Sequence, residues 1–80
     1  MLSIKVLGPG CANCRKLEQV AREALASLGV EAELIKVTDM QQIIAYDVLK
    51  TPGLVINEKL VSSGRIPTLA SVAEWIRAAA

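Results

Sequence analysis

Cys11 and Cys14 stand three positions apart in the stretch GPGCANC, and they are the chain's two thiols. Three chemistries fit such a pair: a reactive dithiol that cycles with a disulfide, half of a metal or metalloid site, or two inert small residues buried in a turn. If Cys11 occupies the N-cap or first turn of a helix, free backbone N–H groups and the positive end of the helix dipole stabilise its thiolate and lower its pKa. Helical spacing then sets Cys14 one turn behind on the same face, near enough to close a small disulfide ring. On this reading Cys11 is the exposed nucleophile and Cys14 the shielded resolving thiol. The Cys11 thiolate attacks a partner's disulfide, and Cys14 resolves the mixed disulfide and releases the reduced partner.

The other two chemistries fit less well. A closed tetrahedral zinc or iron-sulfur site wants four ligands, and with two cysteines and no histidine it needs a second chain or an external thiol. Capture of arsenite, copper or zinc by the two thiolates therefore stands as the alternative function, and no resident metal or cofactor is expected. Inert cysteines are commonly buried singly, less often as a CxxC that opens a helix after a strand. A pair this close is also a poor staple for distant parts of a fold. The absence of histidine removes Cys-His nucleophilic catalysis and the usual near-neutral proton switch.

The elements that must position the pair follow from periodicity. Residues 1–7 alternate as a buried strand, Leu2, Ile4 and Val6 on one face and Ser3, Lys5 and Leu7 on the other, and GPG ends it. From about Cys11 the residues Leu17, Val20, Ala21, Ala24, Leu25 and Leu28 recur at helical spacing, with Arg15, Lys16, Glu18, Arg22 and Glu23 opposite. Gly29 closes that helix. EAELIKV is a second strand, and the strand-helix-strand order implies a right-handed crossover and parallel pairing. Thr38 and Gln41 have capping-box spacing, with Asp39 in the first turn, ahead of a short helix carrying Met40, Ile43, Ile44 and Val48 that must stop before Thr51-Pro52. A hairpin follows, Gly53 to Asn57 pairing with Leu60 to Gly64 across Glu58-Lys59. Thr68 caps a final helix with Leu69, Val72, Ala73 and Ile76 inward and Trp75 at the edge of the stripe. The order is βαβαββα, and eighty residues make one domain, 1–80.

Composition removes several partners. The net charge is +1 and no basic run or interleaved aromatic patch offers a footprint for phosphate backbones, so no nucleic acid is expected. The amino terminus lacks a basic region followed by a long apolar run. No stretch approaches the roughly 18 apolar residues of a membrane span, so the expectation is a cytoplasmic monomer without a membrane partner.

GPGCANC at a strand-to-helix junction, TPGLVIN after the second helix, GRIP before the third, and the βαβαββα order together resemble the thioredoxin superfamily. The likeness is greatest to its short, glutaredoxin-sized redox-active disulfide proteins, and it spans nearly the whole chain. It implies an α/β fold with a four-stranded mixed sheet of order 2-1-3-4, the first and third helices on one face and the second on the other. It also implies a cis Thr51-Pro52 peptide facing Cys11, with Thr51 and Pro52 contacting substrate beside Gly10, Ala12 and Asn13. Tyr46 is a further candidate to line the site from the end of the second helix. The activity implied is thiol-disulfide exchange of the protein-disulfide reductase type, on disulfide-containing proteins or small thiol substrates. Electrons would come from a thioredoxin-reductase-like partner or a low-molecular-weight thiol. With uncharged Ala12 and Asn13 between the cysteines, a reducing or moderate potential is expected.

The departures from the family are local. Gly10 stands where ordinary thioredoxins place a tryptophan, and Lys5 where they place a buried acid, so the resemblance names no proton acceptor for Cys14. Lys5 is expected to snorkel to solvent. Ser62-Ser63-Gly64 stands where glutaredoxins carry a glutathione clamp, which argues against glutathione. Arg65 reads as a solvated loop charge.

Overall fold

A computed structural model of the chain describes residues 2–8, 12–46, 48 and 50–79. Its elements are β1 (Leu2–Leu7), α1 (Ala12–Leu28), β2 (Ala32–Val37), α2 (Met40–Ala45), β3 (Gly53–Ile56), β4 (Lys59–Ser63) and α3 (Leu69–Ala79). The strands form one sheet of order β2-β1-β3-β4. β1 runs parallel to β2 and antiparallel to β3, and β3 antiparallel to β4. The α/β architecture, the mixed sheet and the strand order are those implied by the resemblance.

Alternation along the strands divides the core. Leu2, Ile4, Val6, Leu54 and Ile56 point to the face covered by α1 and α3, where Leu17, Ala21, Ala24, Val72, Ala73 and Ile76 pack on them. Leu7 and Val55 point the other way and meet Val37, Ile43 and Val48 under the thinner layer that contains α2. Every residue of β3 is buried, as befits a central strand covered on both faces. Among the described residues no helix is long and apolar enough to cross a membrane.

The helix ends obey local chemistry, with some corrections. Gly29 takes φ +66° and Val30 N–H reaches Leu25 C=O at 3.3 Å, the backbone closure that a glycine after a helix permits. The N-cap of α2 is Asp39, not Thr38: its carboxylate accepts from Gln41 N–H at 2.9 Å, the two-residue reach of a short side chain at that position. The helix also stops at Ala45, earlier than Pro52 required, and Val48 lies beyond it. Val48 packs instead where Gly53 has no side chain, its methyls 3.1 Å from the position of a Cβ there. With so short a helix only Ile43 is buried, and Met40 and Ile44 stay 54% and 64% exposed rather than sharing its apolar face. Leu69, expected inward, is 42% exposed in the first turn of α3, ahead of the part of that helix that covers the sheet. Thr68 caps that turn, accepting from Ser71 N–H at 3.1 Å.

The hairpin turns one residue earlier than expected, at Asn57-Glu58, where both residues have positive φ, 50° and 67°. A two-residue hairpin loop needs φ > 0 at both positions, and asparagine tolerates that region. Asn57 is also held to β1, accepting from Ser3 N–H at 3.0 Å and donating its own N–H to Ser3 C=O at 2.8 Å. The shift moves Lys59 into β4, and an irregularity between Leu54 and Val55 shifts the register by one residue, leaving Gly53 opposite Ser63 rather than the expected Gly64.

Candidate functional site

The candidate site lies where β1 ends, α1 begins and the chain re-enters the sheet at Thr51-Pro52. Gly8 follows β1 directly, and its N–H donates to Val37 C=O at 2.9 Å, continuing the β1–β2 ladder by one bond. Cys14 sits in the first turn of α1 with 6% exposure, and Ala12 and Asn13 before it are exposed. A Cβ built on Gly8 would collide with Cys14 Sγ and stand 3.4 Å from Cys14 Cβ and 3.7 Å from Thr51 Cβ. The bare glycine backbone is therefore what lets the cysteine turn and the Thr51 loop approach one another. The Thr51-Pro52 peptide is cis. Pro52 is buried and its carbonyl accepts from Gly64 N–H at 2.9 Å.

The structure thus brings Cys14 to Thr51 through Gly8, with Pro52 next in the chain. Cys14 is disulfide-bonded. The expected nucleophile Cys11 and the expected contact residue Gly10 lie outside the described residues.

Tyr46 is engaged elsewhere. It caps the end of α2, and its hydroxyl accepts from Lys5 Nζ at 2.6 Å and donates to Glu58 Oε2 at 2.6 Å. Lys5 also reaches Glu58 Oε1 at 2.6 Å, and its ammonium stands 5.2 Å from the centre of the tyrosine ring. Lys5 is therefore not a lone snorkelling cation. It is the middle of a network on the α2 face, while Cys14 projects from α1. The early turn explains this, since Glu58 at the hairpin tip overhangs Lys5.

Lys5 holds the Glu58 carboxyl below its ordinary 4.5, with Tyr46 adding to the effect. Glu58 in turn, then Tyr46, holds the Lys5 ammonium above its ordinary 10.5. The lowered carboxyl favours the folded state above pH 4.5 and loses that contribution as pH falls through its folded value. The raised ammonium contributes below pH 10.5 and loses it as pH climbs through its folded value. Glu58→Gln should therefore melt slightly below the wild type at neutral pH. The gap should close on acidification below about pH 4, a small effect because Glu58 is well exposed. A gap that persists in acid would refute the assignment.

One group of residues went unread in the sequence. Beside Cys14 lies a cavity of about 40 Å³ lined by Val6, Gly8, Cys14, Arg15, Glu18, Lys36 and Thr38. Glu18 is 13% exposed, with Oε2 2.8 Å from Arg22 and Oε1 3.1 Å from Lys36. Arg22 first, and then Lys36, hold its carboxyl below the ordinary value. Helical periodicity had placed Glu18 on the polar side of α1. The available signal was its spacing of four from Cys14, one turn along the same face.

Comparison with known proteins agrees with this architecture. Residues 2–77 match the family model described as the thioredoxin domain. A protein named thioredoxin from Methanothermobacter thermautotrophicus is 42% identical over 66 residues, covering 82% of this chain and 86% of that one. A second protein named thioredoxin, from Methanocaldococcus jannaschii, is 32% identical over 77 residues, covering 96% and 88%. Among solved structures, thioredoxin-2, a component of malaria parasite protein secretion machinery, superposes with a TM-score of 0.73. At 12% identity, over 98% of this chain and 82% of that one, it shows a shared fold. With the family model spanning nearly the whole length and two relatives of matching size, the chain belongs to the thioredoxin family and is a thioredoxin-type redox protein.

Proposed function

We propose that the chain is a thiol-disulfide oxidoreductase that reduces protein or small-molecule disulfides with Cys11 as nucleophile and Cys14 as resolving thiol. The observation that carries this reading is the placement of Cys14: nearly inaccessible in the first turn of α1, against Gly8 and next to the Thr51-Pro52 junction. A sulfur so shielded is a poor first attacker of a bulky disulfide and a good second one, because only an adjacent sulfur can reach it. The Cys11 thiolate attacks one sulfur of the substrate disulfide, forming a Cys11–substrate bond and expelling the other sulfur as a thiolate. Cys14, deprotonated, then attacks Cys11 Sγ. A Cys11–Cys14 bond forms, the mixed disulfide breaks, and the second substrate thiolate leaves. Two electrons pass to the substrate, and the protons lost by the two thiols go to the two leaving groups.

Thr51, Pro52, Ala12 and Asn13 supply the surface on which the substrate chain lies, with Gly10 beside the nucleophile. Electrons return through a reductase of the thioredoxin-reductase type or a low-molecular-weight thiol. The relatives' shared name, thioredoxin, supports the same chemistry. With dithiothreitol as reductant, the protein should accelerate the reduction and precipitation of insulin well beyond the dithiothreitol rate. Equal rates with and without the protein would overturn the proposal.

A further inference from the structure

Resolution requires Cys14 to lose its proton, and an ordinary thiol with a pKa of about 8.5 is mostly protonated at neutral pH. The strand position where ordinary thioredoxins place a buried acid holds Lys5, whose ammonium is committed to Glu58 and Tyr46. A carboxylate is nevertheless present on the Cys14 side. Glu18 lies one helical turn from Cys14, and both line the same cavity. A volume of about 40 Å³ accommodates one water molecule, and cysteine sulfur, carboxylate, lysine ammonium and threonine hydroxyl are polar groups able to hold it.

We propose that Glu18 accepts the Cys14 proton through a water in this cavity, with Lys36 orienting the carboxylate. This inference rests on the dithiol reading above. In the resolving step the Cys14 S–H bond breaks and its proton passes through the water to a Glu18 carboxylate oxygen. The freed electron pair on Cys14 Sγ forms the bond to Cys11 Sγ, and the Cys11–substrate S–S bond breaks toward the leaving thiolate. Glu18 then returns its proton to solvent or to that thiolate. The arrangement keeps the acceptor ready. Arg22 on α1 and Lys36 on β2 pair directly with Glu18, and Arg15 is the other cation on the cavity wall. Glu18 thus stays ionised at neutral pH.

The test separates a proton acceptor from a bystander charge by sign. A carboxylate near a thiol disfavours the thiolate, so Glu18→Gln makes Cys14 more acidic and, for a bystander, leaves resolution as fast or faster. Loss of an acceptor slows resolution despite that shift. The reduced protein is mixed with 5,5′-dithiobis(2-nitrobenzoate) in a stopped-flow cell, and release of thionitrobenzoate is followed by its colour. The first release reports attack by Cys11, and the second reports resolution by Cys14. Glu18→Gln should slow the second release by about tenfold to a hundredfold at neutral pH, the lower range of general-base contributions because solvent can substitute. The first release should stay within about twofold, since general-base help to Cys14 plays no part in it. Glu18→Asp, which keeps the charge, should recover part of the loss. An unchanged or faster second release in Glu18→Gln overturns the inference, as does an equal slowing of both releases, which marks a structural role. A wild type that never gives the second release would instead overturn the dithiol reading itself.

Discussion

Replacing Cys11 by serine should bring insulin reduction down to the rate of dithiothreitol alone, while replacing Cys14 by serine, with the reduced protein freed of dithiothreitol before insulin is added, should arrest it as a covalent adduct with an insulin chain. The two outcomes differ because, in the proposed mechanism, the sulfurs perform different halves of one exchange. A serine hydroxyl at position 11 supplies no thiolate, so no mixed disulfide forms and all protein-dependent turnover is lost. Serine at position 14 leaves the first attack intact but removes the only sulfur close enough to displace the substrate, so the intermediate accumulates. Cys14, at 6% exposure, is too enclosed to take over the first attack when Cys11 is absent. Non-reducing electrophoresis and intact mass should show the adduct for Cys14→Ser and none for Cys11→Ser. Turnover by Cys11→Ser above the dithiothreitol rate, or an adduct formed by it, would refute the assignment of roles.

Gly8→Ala should destabilise the protein by about 2 kcal/mol, the middle of the range for overpacking a filled site. For a chain of this size that corresponds to a melting temperature lower by about 8–16 °C. Two effects oppose each other at this position. Gly8 does not occupy the left-handed region, so alanine is compatible with its backbone and would by itself stabilise by about 0.4–1 kcal/mol through the unfolded state. Against that, the new methyl would collide with Cys14 Sγ. Relief requires moving the first turn of α1 or the end of β1, and Gly8 N–H is bound to Val37. The collision is the larger effect, and it acts on the sulfur proposed to resolve the mixed disulfide, so activity should fall with stability. A thermal melt that matches or exceeds the wild type would show that α1 yields without cost.

The parts of the fold set by local pattern were legible in the residues. Alternation from Leu2 to Leu7 identified both faces of β1, and the glycine at 29 identified the end of α1. What was misread depended on neighbours in space. The tip of the hairpin moved from Glu58-Lys59 to Asn57-Glu58 because Asn57 is gripped by Ser3, a contact between residues 54 positions apart. The helix after β2 lost Val48 because a glycine on β3 made a better seat for it. The strand order came from the family likeness, since periodicity carries no information about which strands are neighbours. In the site, the spacing of the cysteines pointed to the chemistry proposed above. The Glu18–Lys36 pair stayed hidden because it exists only once β2 lies parallel to β1 and directs alternate side chains toward α1. Lys5 was read singly for the same reason, its two partners lying 41 and 53 residues away.

The two backbone bonds just outside the strands, from Gly8 to Val37 and from Gly64 to Pro52, bear on how readily partners can be exchanged. Ordering a residue's backbone costs about 1–2 kcal/mol, and here that cost falls on folding rather than on docking. These two bonds already fix the backbone at Gly8 and Pro52 before a substrate arrives, so an incoming chain gives up mainly its own freedom. Preorganisation of this kind strengthens binding without adding contacts that discriminate between sequences. A surface so prepared would suit the proposed exchange, in which each disulfide is held briefly and then let go.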